Sequence, residues 1–169
     1  MDIASTFADT NQAFSEFITL LSSINIETIN TLPFEGSWTA GQVAQHVILS
    51  AGSFVQLVNG AVKPTERNPE VNVPMLQKAF LDFSTKMKSP HFIVPEAKTY
   101  NKQELVATLQ QIEKALLQAI NTLDATMTCT AFELPGLGYI TRAEAYTFCI
   151  VHTLRHTHQL KNIKQHLLA

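Results

Sequence analysis

Six histidines stand in a 169-residue chain with only 12 Lys+Arg and 14 Asp+Glu. Two of them, His152 and His156, are four residues apart. On an α-helix that spacing leaves them about 40° apart in azimuth and one turn apart along the axis. Both imidazoles can then aim a nitrogen at one point. They lie on a stripe otherwise made of Ala145, Cys149, Leu160, Ile163 and Leu167, where an apolar side chain would be expected. A third histidine, His46, falls at an inward position of an earlier amphipathic segment. Two ligands from one helix and one from a neighbour would make a three-histidine site for a divalent metal. Such a set leaves a coordination position open, as catalytic zinc sites do and closed structural ones do not. The same residues also admit a plainer reading, as core histidines bonded to backbone carbonyls or water.

Sharper metal motifs are absent. The H-E-x-x-H pattern needs Glu after the first His, and Thr153 stands there. Di-iron bundles use Glu-x-x-His pairs, and no Glu lies three residues before any histidine. His158, two residues past His156, faces away from the stripe and reads as solvated. His166 shares the azimuth but lies ~21 Å along the axis from His152. His91 follows Pro90 and reads as a surface residue. Gln159 lies near the azimuth of His152, where it could bond a ligand or a substrate; it equally fits the boundary of the buried face. Arg155 reads as a surface residue, and Glu144 as a helix cap. No residue is assigned as general acid or base.

Four long amphipathic segments must position these groups. The first runs from Asp2 to Leu21, with Ile3, Phe7, Phe14, Phe17, Ile18 and Leu21 on one face. Thr39 and Gln42 open the second as a capping box, flanked by Trp38 and Val43 as a hydrophobic staple. It continues to about Asn59, with Gly60 at its end. Its inward positions are Val43, His46, Val47, Ser50, Phe54 and Leu57. Asn101 and Glu104 are placed like a capping box for the third, whose stripe is Leu105, Leu109, Ile112, Leu116, Ile120 and Leu123. Thr141 and Glu144 form the box of the fourth, which runs to the C-terminus. Between the second and third lie about 40 residues. There Pro74 starts a shorter helix carrying Leu76, Ala79, Phe80 and Phe83, ended by Ser89-Pro90, and His91 to Tyr100 reads as extended. Four such helices bury their stripes most simply in an all-α four-helix bundle. The long connection can cross the bundle, so up-down-up-down order is not required.

Composition sets the bounds. The length suits one domain over residues 1–169. Hydrophobic residues make up 46% and charged residues 15%, against about 25% charged in average soluble chains. A net charge of −2 and pI near 6.3 argue against a nucleic-acid partner. No apolar run approaches the ~18 residues of a membrane span. Met1 to Thr6 lack the basic start and apolar block of a secretion signal. Together with Cys129 and Cys149, read as free thiols, this points to a cytoplasmic protein.

The stretch Ser37-Trp38-Thr39-Ala40-Gly41-Gln42-Val43-Ala44-Gln45-His46-Val47 resembles the "W-S/T-x-x-[EQ]-[VI]-x-x-H-[LIV]" signature of the DinB-like, YfiT-like superfamily. His152-Thr153-Leu154-Arg155-His156-Thr157-His158-Gln159-Leu160 is similar to its C-terminal "H-x-x-x-H-x-x-Q-[LI]" signature. Order and spacing match over nearly the whole chain. The resemblance implies up-down-down-up topology and a divalent metal, typically zinc or nickel, held by His46, His152 and His156. It also implies one of two reaction types on a small organic substrate. One is thiol S-transfer with a low-molecular-weight thiol such as mycothiol or bacillithiol; the other is metal-dependent hydrolysis or isomerisation. Relatives are often homodimers. The competing expectation is a non-catalytic, stress-associated bundle protein that binds a metal or another ligand.

Overall fold

The computed structural model describes residues 2–168. Five helices and one short ribbon follow in order: α1 (Ile3–Ser23), α2 (Ala40–Asn59), β1 (Val62–Lys63), α3 (Val73–Leu81), α4 (Lys102–Thr122), β2 (Thr128–Cys129) and α5 (Arg142–Leu168). A single 3-10 turn, His91–Ile93, precedes α4. Among the described residues, no helix is long and apolar enough to cross a membrane.

The long helices start where side chains satisfy their free N–H groups. Asp2 accepts from Ala4 N and Ser5 N at the start of α1. At α2 the reciprocal box is complete: Gln42 N donates to Thr39 Oγ1 at 3.1 Å, and Thr39 N to Gln42 Oε1 at 3.0 Å. At α5 the Thr141/Glu144 box closes in the same way, at 3.1 and 3.0 Å. At α4 only half of the expected box forms. Asn101 accepts from Gln103 N and Glu104 N, and Glu104 does not reach back among the described bonds.

Helices α1, α2, α4 and α5 form a four-helix bundle in which α1 and α2 each pack on both α4 and α5. Ion pairs and close approaches give the directions. Lys102, at the start of α4, donates to Ser22 O and Ile24 O at the end of α1, so these two are antiparallel. Lys161 and Lys164 of α5 meet Glu16 and Ser23 of α1 in rising order, so these run parallel. Gly41 lies against Tyr100 and Gly52 against Ile112, so α2 parallels α4. Arg142 Nε donates to Val58 O at 2.8 Å, which pairs the start of α5 with the end of α2. The order is therefore up-down-down-up. Gly41 permits the contact beneath it: a Cβ there would come within 3.1 Å of Asn30 Oδ1 and Tyr100 Cβ.

The core is the sum of the expected stripes. Leu105, Leu109, Ile112, Leu116 and Ile120 are buried along α4, as are all six inward positions of α2. Each large aliphatic side chain so buried contributes roughly 1.5–3 kcal/mol. Ile3 is an exception: half exposed, it lines a surface cleft with Asn121 of α4. The first half of α5 is buried on most of its circumference, because α3 packs on its outer side while α1 and α2 cover the inner one.

The crossover between α2 and α4 departs from the sequence reading in three ways. Helix α3 ends at Leu81, so Phe83 lies beyond it and is exposed; Asp82 caps the following turn by accepting from Ser84 and Thr85. The segment read as extended opens with the 3-10 turn. Finally, β1 pairs antiparallel with β2, Val62 opposite Cys129 and Lys63 opposite Thr128. This ribbon ties the exit of α2 to the entry of α5.

Candidate metal centre

Two antiparallel helices bring the histidines to one level. The Arg142 guanidinium pins α5 to the last turn of α2 at Val58 O and also reaches Asp124 O. From that pin His152 is ten residues along α5 and His46 twelve residues back along α2. At 1.5 Å per residue these are ~15 and ~18 Å, so the two rings face each other across the interface. His156 follows one turn later.

The three Nε2 atoms converge. His46 Nε2 lies 3.1 Å from His152 Nε2, and His156 Nε2 lies 3.2 Å from the same atom. All three residues are buried, and their ligand atoms lie within 4.8 Å of one another. The outer nitrogens fix the tautomers. Ile93 O lies 2.8 Å from His46 Nδ1, and Gln159 Oε1 lies 2.8 Å from His156 Nδ1. A carbonyl oxygen only accepts, so each Nδ1 carries the hydrogen and each Nε2 presents a lone pair inward.

Burial keeps the rings neutral. It lowers the pKa of His46 against the Ile93 bond, which raises it. Burial, then the charges of His156, His46 and Arg155, push His152 well below the usual range. His156 falls to about 3, again chiefly through burial. No carboxylate hydrogen-bonds to these imidazoles among the described residues.

This donor set fits a cation. Two inward lone pairs meet His152 Nε2, which can offer at most one N–H for both. At least one contact is therefore left without its own hydrogen, and a buried unsatisfied acceptor costs roughly 1–3 kcal/mol. A cation at the shared point would satisfy all three nitrogens at once. Nitrogens held to zinc at ~2.0–2.1 Å in tetrahedral geometry lie roughly 3.3 Å apart, close to the two separations observed.

Aromatic rings close the surroundings. Phe148 stacks on His152 (centroids 5.2 Å, 17° between planes), and Phe80 of α3 meets both edge-on. Trp38 lies 5.0 Å from the His46 ring. Two surface clefts, of about 550 and 320 Å³, are lined by other residues: one by Asp2 and Phe7, the other by Gln45 and Tyr100.

The remaining sequence candidates separate. Gln159 reaches His156 rather than merely bounding the buried face. His158, His166 and His91 are exposed; His158 stacks on Phe83 (4.4 Å, 4°), and His166 lies against Phe34. Arg155 is not a free surface residue, since its guanidinium donates to Phe80 O, Asp82 O and Thr85 O. Glu144 does more than cap: it takes both Arg67 terminal nitrogens at 2.7 Å and Asn72 N at 3.0 Å. Sequence reasoning missed Ile93, which acts through its backbone and leaves no side-chain signal. It also missed Phe148, which four-residue spacing from His152 could have indicated.

The model of the DinB superfamily matches residues 9–160. No curated protein sequence matches the chain. Two solved structures share the fold. TT2238, a four-helix bundle protein, aligns with a TM-score of 0.60 and 16% identity, covering 95% of this chain and 99% of that one. YfiT from Bacillus subtilis, described as a probable metal-dependent hydrolase with an unusual four-helix bundle topology, aligns at 0.63 and 15% identity, covering 98% and 87%.

Proposed function

Since the chain belongs to the DinB superfamily, we propose that His46, His152 and His156 hold a divalent metal, zinc or nickel, through Nε2. We propose further that the protein is a metal-dependent enzyme acting on a small organic substrate. The convergence of three buried, neutral imidazoles with inward lone pairs carries this reading. The metal-dependent description of YfiT supports it. With three neutral ligands the cation would keep its full charge and supply Lewis acidity, bringing water or a thiol into its nucleophilic form near neutral pH.

The protein's own groups have definable tasks. Ile93 O and Gln159 Oε1 hold two rings in the tautomer that leaves Nε2 free, and so orient both ligands. Phe80, Phe148 and Trp38 exclude water and present an apolar wall to the body of a substrate. Hydrolysis and thiol S-transfer, with a bacillithiol-type thiol as co-substrate, are the two reaction types proposed.

Elemental analysis of protein purified without a nickel column tests the site. About one metal per chain is expected, and no metal after reconstitution with zinc, nickel or manganese would end the reading. Turnover of thiol plus electrophile, set against hydrolysis of small esters and amides, separates the two reactions.

One observation favours a second reading. The three histidines are at most 8% exposed and lie under aromatic rings, as expected of a non-catalytic protein that binds a metal or another ligand. Metal binding without turnover of either substrate panel would select it.

A further inference from the structure

A buried centre that exchanges anything with solvent must have a wall that opens. The four bundle helices make poor candidates, because their facing stripes form the continuous core. The outer wall is different. Helix α3 buries only Leu76 among its nine residues, and its main packing is against α5. The chain after it, residues 82–85, is exposed and bonded mainly within itself, through Asp82 to Ser84 and Thr85. Few buried apolar contacts and a solvent-facing backbone mark the segments that open at low cost.

This weakly held segment carries a side chain of the site. Phe80 lies edge-on to His152 at 5.9 Å and to Phe148 at 4.9 Å, while Phe148 itself stacks on His152. Two further contacts tie the segment to α5. Phe83 stacks on exposed His158. Arg155, on the ligand helix between His152 and His156, gives N–H bonds to Phe80 O, Asp82 O and Thr85 O. One guanidinium thus gathers three carbonyls from six consecutive residues. No carboxylate partners Arg155 among the described ion pairs, so its donors serve the backbone of this segment.

We propose that residues 80–85 form a strap over the three-histidine centre, that Arg155 is its latch, and that release of this latch admits small molecules and metal to the centre. Arg155 is a positioning residue here: it touches no reacting atom and acts by holding Phe80 in place. The strap deepens the reading of a metal site, and its test has one arm that rests on that reading and one that does not.

In the independent arm, the metal-free full-length protein is labelled with diethyl pyrocarbonate, and each histidine is followed by mass spectrometry. His91 and His166 are exposed internal references. Arg155→Ala and Phe80→Ala should each speed labelling of His152 and His156 roughly tenfold or more, the scale of losing one charge-assisted bond or one aromatic contact from the closed state. The references should not change. Arg155→Lys keeps the charge but offers its N–H groups from one point instead of a planar fork, so it should fall between. Melting curves by circular dichroism identify any variant that has lost its fold, and the remaining variants then decide. Equal labelling in wild type and folded variants would overturn the strap.

In the second arm, zinc uptake and its removal by a chelator are timed. Both rates should rise roughly tenfold in Arg155→Ala with equilibrium affinity held within about threefold, since a latch changes access and not the ligands. Loss of affinity with unchanged uptake would overturn the latch role. If wild-type protein takes up no zinc, the metal reading fails, and the labelling arm alone judges the strap.

Discussion

Two buried polar clusters on helix α5 differ in how completely the chain satisfies them. At its first turn Glu144 accepts from both terminal nitrogens of Arg67, from Asn72 N and from Thr141 N. Its side chain is fully buried and its lone pairs are occupied. Two to three turns on, His46, His152 and His156 bring three nitrogens together with too few hydrogens among them. The first cluster is complete as the chain folds. The second has fewer hydrogens than contacts, and the proposed metal ion would complete it. A saturated buried polar cluster is a structural device, whereas an unsaturated one points to a ligand.

Removing one member from each cluster tests the distinction most strongly. Glu144→Ala should leave Arg67 without its carboxylate and the Thr141 and Asn72 N–H groups without an acceptor, and should cost about 2–4 kcal/mol in urea unfolding. A loss below about 1 kcal/mol would show that the cluster is not the anchor described. His152→Leu should behave in the opposite way. It removes a mismatched nitrogen and fills the same space with an apolar side chain. The metal-free protein should keep its stability or gain some, while zinc affinity falls at least roughly 100-fold. Unchanged affinity by competition titration would refute the ligand assignment.

Acid separates the clusters by pH window. The folded-state pKa of each centre histidine is depressed by burial, that of His156 to about 3. Unfolded histidines bind protons near 6.5. Below that pH the unfolded chain holds more protons than the native one, so metal-free stability should decline as pH falls from about 6.5. For Glu144, burial raises the pKa but the bonds from Arg67, Thr141 and Asn72 outweigh it, leaving a net lowering. Its contribution is present above the unfolded value of ~4.3 and is lost as pH falls through its lowered pKa. Denaturant midpoints across pH 3–8 should therefore start to fall near pH 6.5 in wild type. In His152→Leu that first decline should shrink, while the Glu144 decline stays. A flat profile down to pH 5 would contradict the burial of neutral rings.

The smallest effect belongs to Gln159. Gln159→Leu frees the His156 tautomer without removing a ligand and should weaken zinc roughly tenfold, the lower end for such a supporting bond. Gln159→Glu should restore much of it, because a carboxylate also accepts from Nδ1. Equal affinity in all three proteins would make the Gln159 contact incidental.

Much of this was legible in the residues. The six inward positions of α2 and the boxes at Thr39 and Thr141 lie where periodicity and capping chemistry place them, because both depend on neighbours within one or two turns. The division of six histidines into three that converge and three that do not follows from the same geometry. Asn101 and Glu104 show its limit: a box needs a reciprocal side-chain contact, and spacing alone does not guarantee it. The α3 segment is the least legible. Phe83 continues the apolar spacing, but the helix stops at Leu81, where the Asp82 carboxylate binds the turn instead.

Sequence by itself determined the helices, the faces they bury and which histidines share a face, since helical periodicity is a local property. Only the tertiary structure decided which distant groups the buried side chains bond to. Ile93 O at His46, Arg67 at Glu144 and the three carbonyls at Arg155 come from residues 47 to 77 positions away. Such pairings depend on how the crossover packs across α2 and α5, and no local spacing encodes them.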